Sequence, residues 1–339
     1  MRSPLEQIAG ESHTGLPLLL ERRAKTLERL ETRRELLKAV PLPSDVAVVF
    51  AGSWGRLEVT TASDNDFYLL TLDGGIGADE ETMRLVSSIF EQEEYEETGV
   101  RRDTEPGKEE TFSKPVILPH LLRRIGREED SNSNLTQRML MVLESIWISN
   151  PKLHSRSREA IIKGYIELPI KPNQPPRLFL NDVVRYWRTM CVDFAGKMRD
   201  RKGQGWGLRN AKLRTSRKIL FASGLLPLLR CGRLETKNIT PFLLKQFALP
   251  PSDRVADAFI AGDRSDDAVE LFEAYESFVK MLDDEETREA LGEITGRPGA
   301  SESDLFQEIV EIGQVVETRL LNLLFDPELE KVTRDYAIF

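Results

Sequence analysis

AGSWGRLEVTTASDNDFYLL, residues 51–70, places a glycine-serine turn and an arginine ahead of two carboxylates, Asp64 and Asp66, spaced i, i+2. The run from Asp64 to Leu72 reads as a strand. Side chains on a strand alternate faces, so the two acids are expected to point the same way, roughly 6–7 Å apart at Cα. Like charges held that close repel unless a cation lies between them, and hard divalent ions such as Mg²⁺ prefer carboxylate oxygen. Gly52 lets the backbone approach a phosphate, and Ser53 adds a hydroxyl and an amide. A phosphate-sized turn beside a metal-binding acid pair points to nucleotide chemistry.

Working outward, Asp45-Val-Ala-Val-Val-Phe50 reads as a buried strand running into Gly52. Before it, residues 17–40 have helical spacing of leucines among Glu/Arg pairs, ended by Pro41 and Pro43. After the acids, Asp73-Gly74-Gly75 breaks the strand, Glu80–Phe90 is helical, and Glu94–Val100 reads as a third strand. Helices are expected at 135–149 and 158–166, and at 181–199 with Asn181 as N-cap. Further helices follow at 208–226, after Thr240-Pro241, and through 250–330. The expected fold class is α+β: a small mixed β-sheet with flanking helices, followed by a large all-α portion. The expected division is an N-terminal helical segment at 1–40, the core at 41–130 and a helical domain at 131–339.

Composition fits a globular chain, with 40% hydrophobic and 30% charged residues in 339. No apolar run is long enough to span a bilayer, and the first residues lack the basic-then-apolar pattern of a secretory leader. Cys191 and Cys231 have no paired spacing, so a reduced, cytoplasmic setting without disulfides is expected. Three scattered histidines, His13, His120 and His154, make no recognisable zinc site. The net charge of −9 argues against a general nucleic-acid coat and makes long RNA an unfavoured default partner. The charge is uneven, however: residues 201–233 carry nine bases and no acid. These bases either hold a polyphosphate or solvate helix faces.

Gly52-Ser53-Trp54-Gly55-Arg56, with Ser63-Asp64-Asn65-Asp66 following, resembles the GS-x-(G/A)-R…(S/T)D-x-D signature of the polymerase-beta-like nucleotidyltransferase superfamily. Within it, the chain is similar to the branch of PII-uridylyltransferase-like domains, where GSxGRxE precedes TxxSDxD; Glu58 and Thr60 fall in step. The segments LTQRMLMVLES at 135–145 and WGLRNAKLRTSRK at 206–218 look like the C-terminal part of uncharacterised bacterial proteins bearing such a domain. The direct match covers about twenty residues, and element order extends it to 45–130. The resemblance implies Mg²⁺ or Mn²⁺ held by Asp64 and Asp66, and an NTP such as ATP contacted by Gly52, Ser53 and Arg56. A salt bridge from Arg56 to Glu58 or a neighbouring acid is the alternative. The resemblance also implies basic and hydroxyl groups from the helical domain. Arg209, Lys212 and Ser216, sharing a ridge at i, i+3, i+7, are the expected set, with Arg217 second.

A third metal-binding acid is the departure from the family pattern. Candidates are Asp103, Glu109 and Glu110, then Asp193, or none. Trp187 and Trp206 are candidates to stack on a base or to sit in the core. Asp182, Tyr186, Thr189 and Asp193 form another ridge, lining a cleft or simply polar. The expected activity is transfer of NMP from an NTP to a protein, RNA or small-molecule acceptor, in a cleft between the α/β core and the helical domain. The competing readings are a nucleotide sensor without turnover, and a toxin or defence enzyme acting on tRNA or making oligonucleotide signals.

Overall fold

The computed structural model describes residues 2–60, 63–73, 80–99, 115–167 and 170–338. Over these described residues it is α+β, 72% helical, with a small four-stranded mixed sheet. The chain divides into two compact units, Arg22–Leu168 and a discontinuous one made of Met1–Glu21 with Pro169–Phe339. The boundaries expected near 40 and 130 both fall inside the first of these.

In chain order the elements begin with α1 (Pro4–Glu11), α2 (Pro17–Leu37), β1 (Val46–Phe50), α3 (Gly52–Arg56) and β2 (Phe67–Thr71). They continue with α4 (Glu80–Thr98), β3 (Val116–Ile117), α5 (Leu118–Arg123), α6 (Asn132–Leu143), β4 (Ile146–Trp147) and α7 (Pro151–Ile166). The strand order is β3-β2-β1-β4; β1 is antiparallel to β2 and β4, and β2 is parallel to β3.

Period-two alternation sorts the sheet into two apolar faces. Val46, Val48 and Phe50 stand opposite Thr71, Leu69 and Phe67. This face is covered by Leu30 and Leu37 of α2 and by Val86 and Phe90 of α4, in one core cluster with Trp54. On the other face Ala47, Val49, Tyr68 and Leu70 are equally buried, and the Tyr68 hydroxyl donates to Met141 Sδ on α6 at 3.3 Å. Helix α2 belongs with the sheet for a second reason. Arg34 lies 3.5 Å from the centroid of the Trp147 ring on β4 and donates to the Trp147 carbonyl. These contacts are why the sheet unit takes in residues on both sides of 41–130.

His154, on α7, is buried with Nε2 2.8 Å from the Ser145 hydroxyl. Burial, then the Arg158 charge, push its pKa down from 6.5 to about 3. The unfolded chain therefore binds a proton that the folded one refuses between those values, so stability rises with pH across that window and is lost on acidification. Urea unfolding from pH 7 to pH 4 should show a steeper loss in the native chain than in His154→Gln, by up to about 1.4 kcal/mol per pH unit. Identical slopes would refute the assignment.

The other unit contains α8 (Arg177–Asp200), α9 (Trp206–Arg214), α10 (Ser216–Arg230) and a 3₁₀ turn at Cys231–Arg233. It continues through α11 (Thr236–Ala248), α12 (Pro251–Ala261), α13 (Ser265–Asp283), α14 (Glu285–Glu293), α15 (Arg297–Ser301), α16 (Asp304–Leu324) and α17 (Glu330–Thr333). Helix α1 closes this unit: its Ser3 capping box starts it, and the Leu5 amide donates to the buried Asp253 carboxylate at 2.9 Å. Buried Arg254 ties α12 to α10 by donating to the Ser223 carbonyl and hydroxyl at 3.0 and 2.9 Å.

Several sequence expectations need correction. Residues 94–98 continue α4 instead of forming a third strand, with Glu94 buried against the core. The helix expected at 135–149 stops at Leu143, and Ile146–Trp147 pairs with β1. Asn181 lies inside α8, which Pro176 precedes as N-cap, and Pro241 lies inside α11, which begins at Thr236. The helix expected at 208–226 is two helices. Thr215, at φ −123° and ψ −93°, separates them and turns its hydroxyl back to the Ala211 carbonyl at 2.8 Å. The cysteines are both free, as expected.

Candidate functional site

The site residues lie where β1 ends and β2 begins. β1 delivers the chain to Gly52, whose φ of +63° is the left-handed conformation that glycine accommodates without strain. The Ala51 amide donates to the Asp66 carbonyl at 2.8 Å, which continues the β1–β2 pairing one step past Phe50 and Phe67. The strand itself starts at Phe67, so Asp64 and Asp66 precede it rather than lie within it. Alternation nevertheless holds across them: Asp64 is exposed, Asn65 buried and Asp66 half-buried.

Asp66 stands directly over the turn. A Cβ placed on Gly52 would lie 2.8 Å from Asp66 Oδ2, so any other residue there would press on this carboxylate. The Trp54 indole N–H donates to the Asp64 carbonyl at 3.2 Å and fixes the backbone of the other acid. Thr60 and Ser63 bond to each other, amide to hydroxyl at 3.0 Å, closing the connection just before the acids.

Asn65 is held by a buried polar network that the sequence did not reveal. Arg33, fully buried on α2, donates through one terminal nitrogen to Asn65 Oδ1 at 2.6 Å. Its Nε and other terminal nitrogen reach Glu93 Oε2 at 3.0 and 2.8 Å. The Asn65 amide donates to Glu94 Oε2 at 3.0 Å, so α2 and α4 both grip the residue between the acids. The Arg33 guanidinium also lies 4.0 Å from the Trp54 ring centroid. Burial lowers the Arg33 pKa and the Glu93 carboxylate opposes that shift. Removing one member of such a network leaves the others desolvated and unpaired. Asn65→Ala should therefore cost about 1–3 kcal/mol of stability in urea titration. A variant with unchanged stability would show that the network does not fix the loop.

Arg56 is committed to carboxylates. Its Nε donates to Glu58 at 3.0 Å, and a terminal nitrogen pairs with Glu144, whose side chain is buried. This is the salt-bridge alternative of the sequence reading. Gly55 has a steric role: a Cβ there would fall 1.8 Å from the Glu144 carbonyl oxygen. The G-R pair of the motif thus packs α3 onto the end of α6 and bonds it there.

Arg209, Lys212 and Ser216 belong to the helical unit, and the break at Thr215 puts Ser216 on a different helix from the two bases. The Ser216 hydroxyl donates to the Lys212 carbonyl at 3.3 Å. Several bases of the 201–233 run pair within their own unit: Lys218 with Glu317, Arg230 with Asp257 at 2.7 Å, and Arg233 with Glu328. Asp182 is buried and accepts from Arg185, and Tyr186 is buried too; Asp193, exposed, pairs with Lys197 at 2.9 Å. That ridge therefore runs from core to surface and is no single polar face. Trp187 stacks on Phe221 at 5.3 Å. Asp103, Glu109 and Glu110 lie outside the described residues, and among the described residues no group of three or more His, Cys, Asp or Glu could hold a metal ion.

Comparison with protein-family models gives no match, and none of the curated proteins matches the chain. The functional reading therefore rests on the site itself. No helix among the described residues is long and apolar enough to cross a membrane.

Proposed function

We propose that the chain is a Mg²⁺- or Mn²⁺-dependent nucleotidyltransferase that moves NMP from an NTP to an acceptor and releases pyrophosphate. The observation that carries this reading is the placement of the Asp66 carboxylate against Gly52, with exposed Asp64 two residues before it. A polyphosphate lodged at the glycine-serine bend would then meet the Asp66 carboxylate. The donor set fits a hard divalent ion, because it is all carboxylate oxygen and neither acid is fully buried. Asp64 and Asp66 would hold the ion, which when bound would neutralise phosphate charge and orient the α-phosphate.

The chain's own contribution is positioning. Gly52 permits close approach of the backbone, Ser53 adds a hydroxyl donor, and the Arg33–Asn65–Glu94 network keeps the acids aimed. In the reaction an acceptor oxygen forms a bond to the α-phosphorus. The bond from that phosphorus to the bridging oxygen breaks, pyrophosphate leaves with the electron pair, and the acceptor proton passes to solvent.

The test is incubation with each α-labelled NTP, Mg²⁺ and cell lysate, followed by separation of protein, RNA and small molecules. Label transferred to one fraction with stoichiometric pyrophosphate supports the proposal and names the acceptor class. Tight NTP binding with no pyrophosphate favours a sensor instead.

A further inference from the structure

The helical unit contains a cavity of about 330 Å³ built by α8, α9, α15 and α16. Its volume falls within the usual range for small-molecule sites, about 300–1,000 Å³. Trp206 and Asn210 stand one helical turn apart on α9, and Arg214 one turn further, so all three present to the same wall. Phe194 and Phe306 flank the indole, with ring centroids 6.4 and 5.4 Å from it. Arg297 lines it from α15.

Two features separate this cavity from a packing defect. No acidic side chain lines it, yet two guanidinium groups do. Arg214 donates only its Nε, to Asn210 Oδ1 at 2.8 Å, and its terminal nitrogens meet no partner among the described residues. The Arg297 guanidinium likewise has none among them. An anion entering this recess would meet two cationic side chains and no acid. Meanwhile the aromatic wall offers a π-face to a flat ring, and Asn210 and Arg214 add a polar edge that fixes orientation.

We propose that this cavity binds a planar aromatic anion, its ring laid against Trp206 and its charge held by Arg214 and Arg297. The inference goes beyond the nucleotidyltransferase reading and does not depend on it. A nucleoside monophosphate and an aromatic carboxylate share this chemistry, and titration distinguishes them.

The experiment uses the full chain carrying Asp64→Asn and Asp66→Asn, in EDTA, so that metal-dependent nucleotide binding is absent. Calorimetric titrations are run with AMP, GMP and 4-hydroxybenzoate, and with adenosine and inorganic phosphate as half-ligands. Saturable one-to-one binding of a nucleotide or of the carboxylate is expected, with each half-ligand at least about 10-fold weaker. Arg297→Ala and Arg214→Ala should each weaken that binding about 10-fold or more, the loss expected for a charge-assisted contact. Arg297 is exposed, so its variant keeps the fold and isolates the contact. Absence of saturable binding by all three anions would overturn the proposal, as would binding that Arg297→Ala leaves unchanged.

Discussion

Under the proposed function, Asp66→Asn is expected to lower pyrophosphate release sharply while leaving the chain folded. The substitution keeps the shape of a side chain that lies against Gly52, and the Asp66 carbonyl still accepts the Ala51 amide. Only the negative charge is lost, and with it half of the carboxylate pair. Metal stabilisation of phosphoryl charge is worth several kcal/mol, so the rate should fall on the order of 10³-fold. Asp64→Asn should behave alike, and the double variant should be no worse than the poorer single one, because the acids act as a unit. A single variant retaining activity within about 10-fold of the native chain would remove Asp66 from the chemistry.

Gly55→Ala should produce the largest stability change of any one-atom substitution in the sheet unit. The added Cβ would lie 1.8 Å from the Glu144 oxygen, 2.3 Å from its carbon and 2.9 Å from the Ser145 nitrogen. These are backbone atoms, so no side chain can swing aside. Overpacking ordinarily costs about 1–3 kcal/mol, and a rigid neighbour puts this case at or above the upper end. Separating α3 from residues 144–145 would also disturb the Arg56–Glu144 pair, whose acid is buried and would be left uncompensated. A fall in midpoint of about 6–12 °C is expected by calorimetry or near-UV dichroism. Gly10→Ala offers the control: a Cβ there meets only the end of the Arg2 side chain, at 3.5 Å. Equal midpoints for the two variants would refute the steric argument.

Where the sequence was legible, short-range physics decided the structure. Val46–Phe50 is five apolar residues in a row and became a strand buried on both faces. The positive φ at Gly52 was readable because the left-handed conformation is a local preference of glycine. Where contacts between distant residues decide, the reading failed. β3 and β4 are two residues each and exist only because β1 and β2 offer free edges, so no periodicity announces them. The break at Thr215 lies beside Arg214, against which Gly313 of α16 packs: a Cβ on that glycine would stand 3.0 Å from Arg214 Cβ. Glu94 looked like the start of a strand because its role, accepting from Asn65, depends on a residue 29 positions earlier. Arg33 is one arginine among many on a charged helix, and nothing nearby in sequence marks it as the one that is buried.

The discontinuity of the helical unit has a consequence for biogenesis. Its first helix emerges from the ribosome early, yet Asp253 and Glu273, which receive the Leu5 amide and the Ser12 hydroxyl, are synthesised some 250 residues later. At the usual elongation speed, about 5–20 residues per second, that is a wait of roughly 12–50 s. During it the sheet unit can already fold, while Leu5, Ile8 and Ala9 keep an apolar stripe uncovered. Nascent chains stalled before residue 250 should therefore engage holding chaperones through α1, and chains extended well past Glu273 should let go.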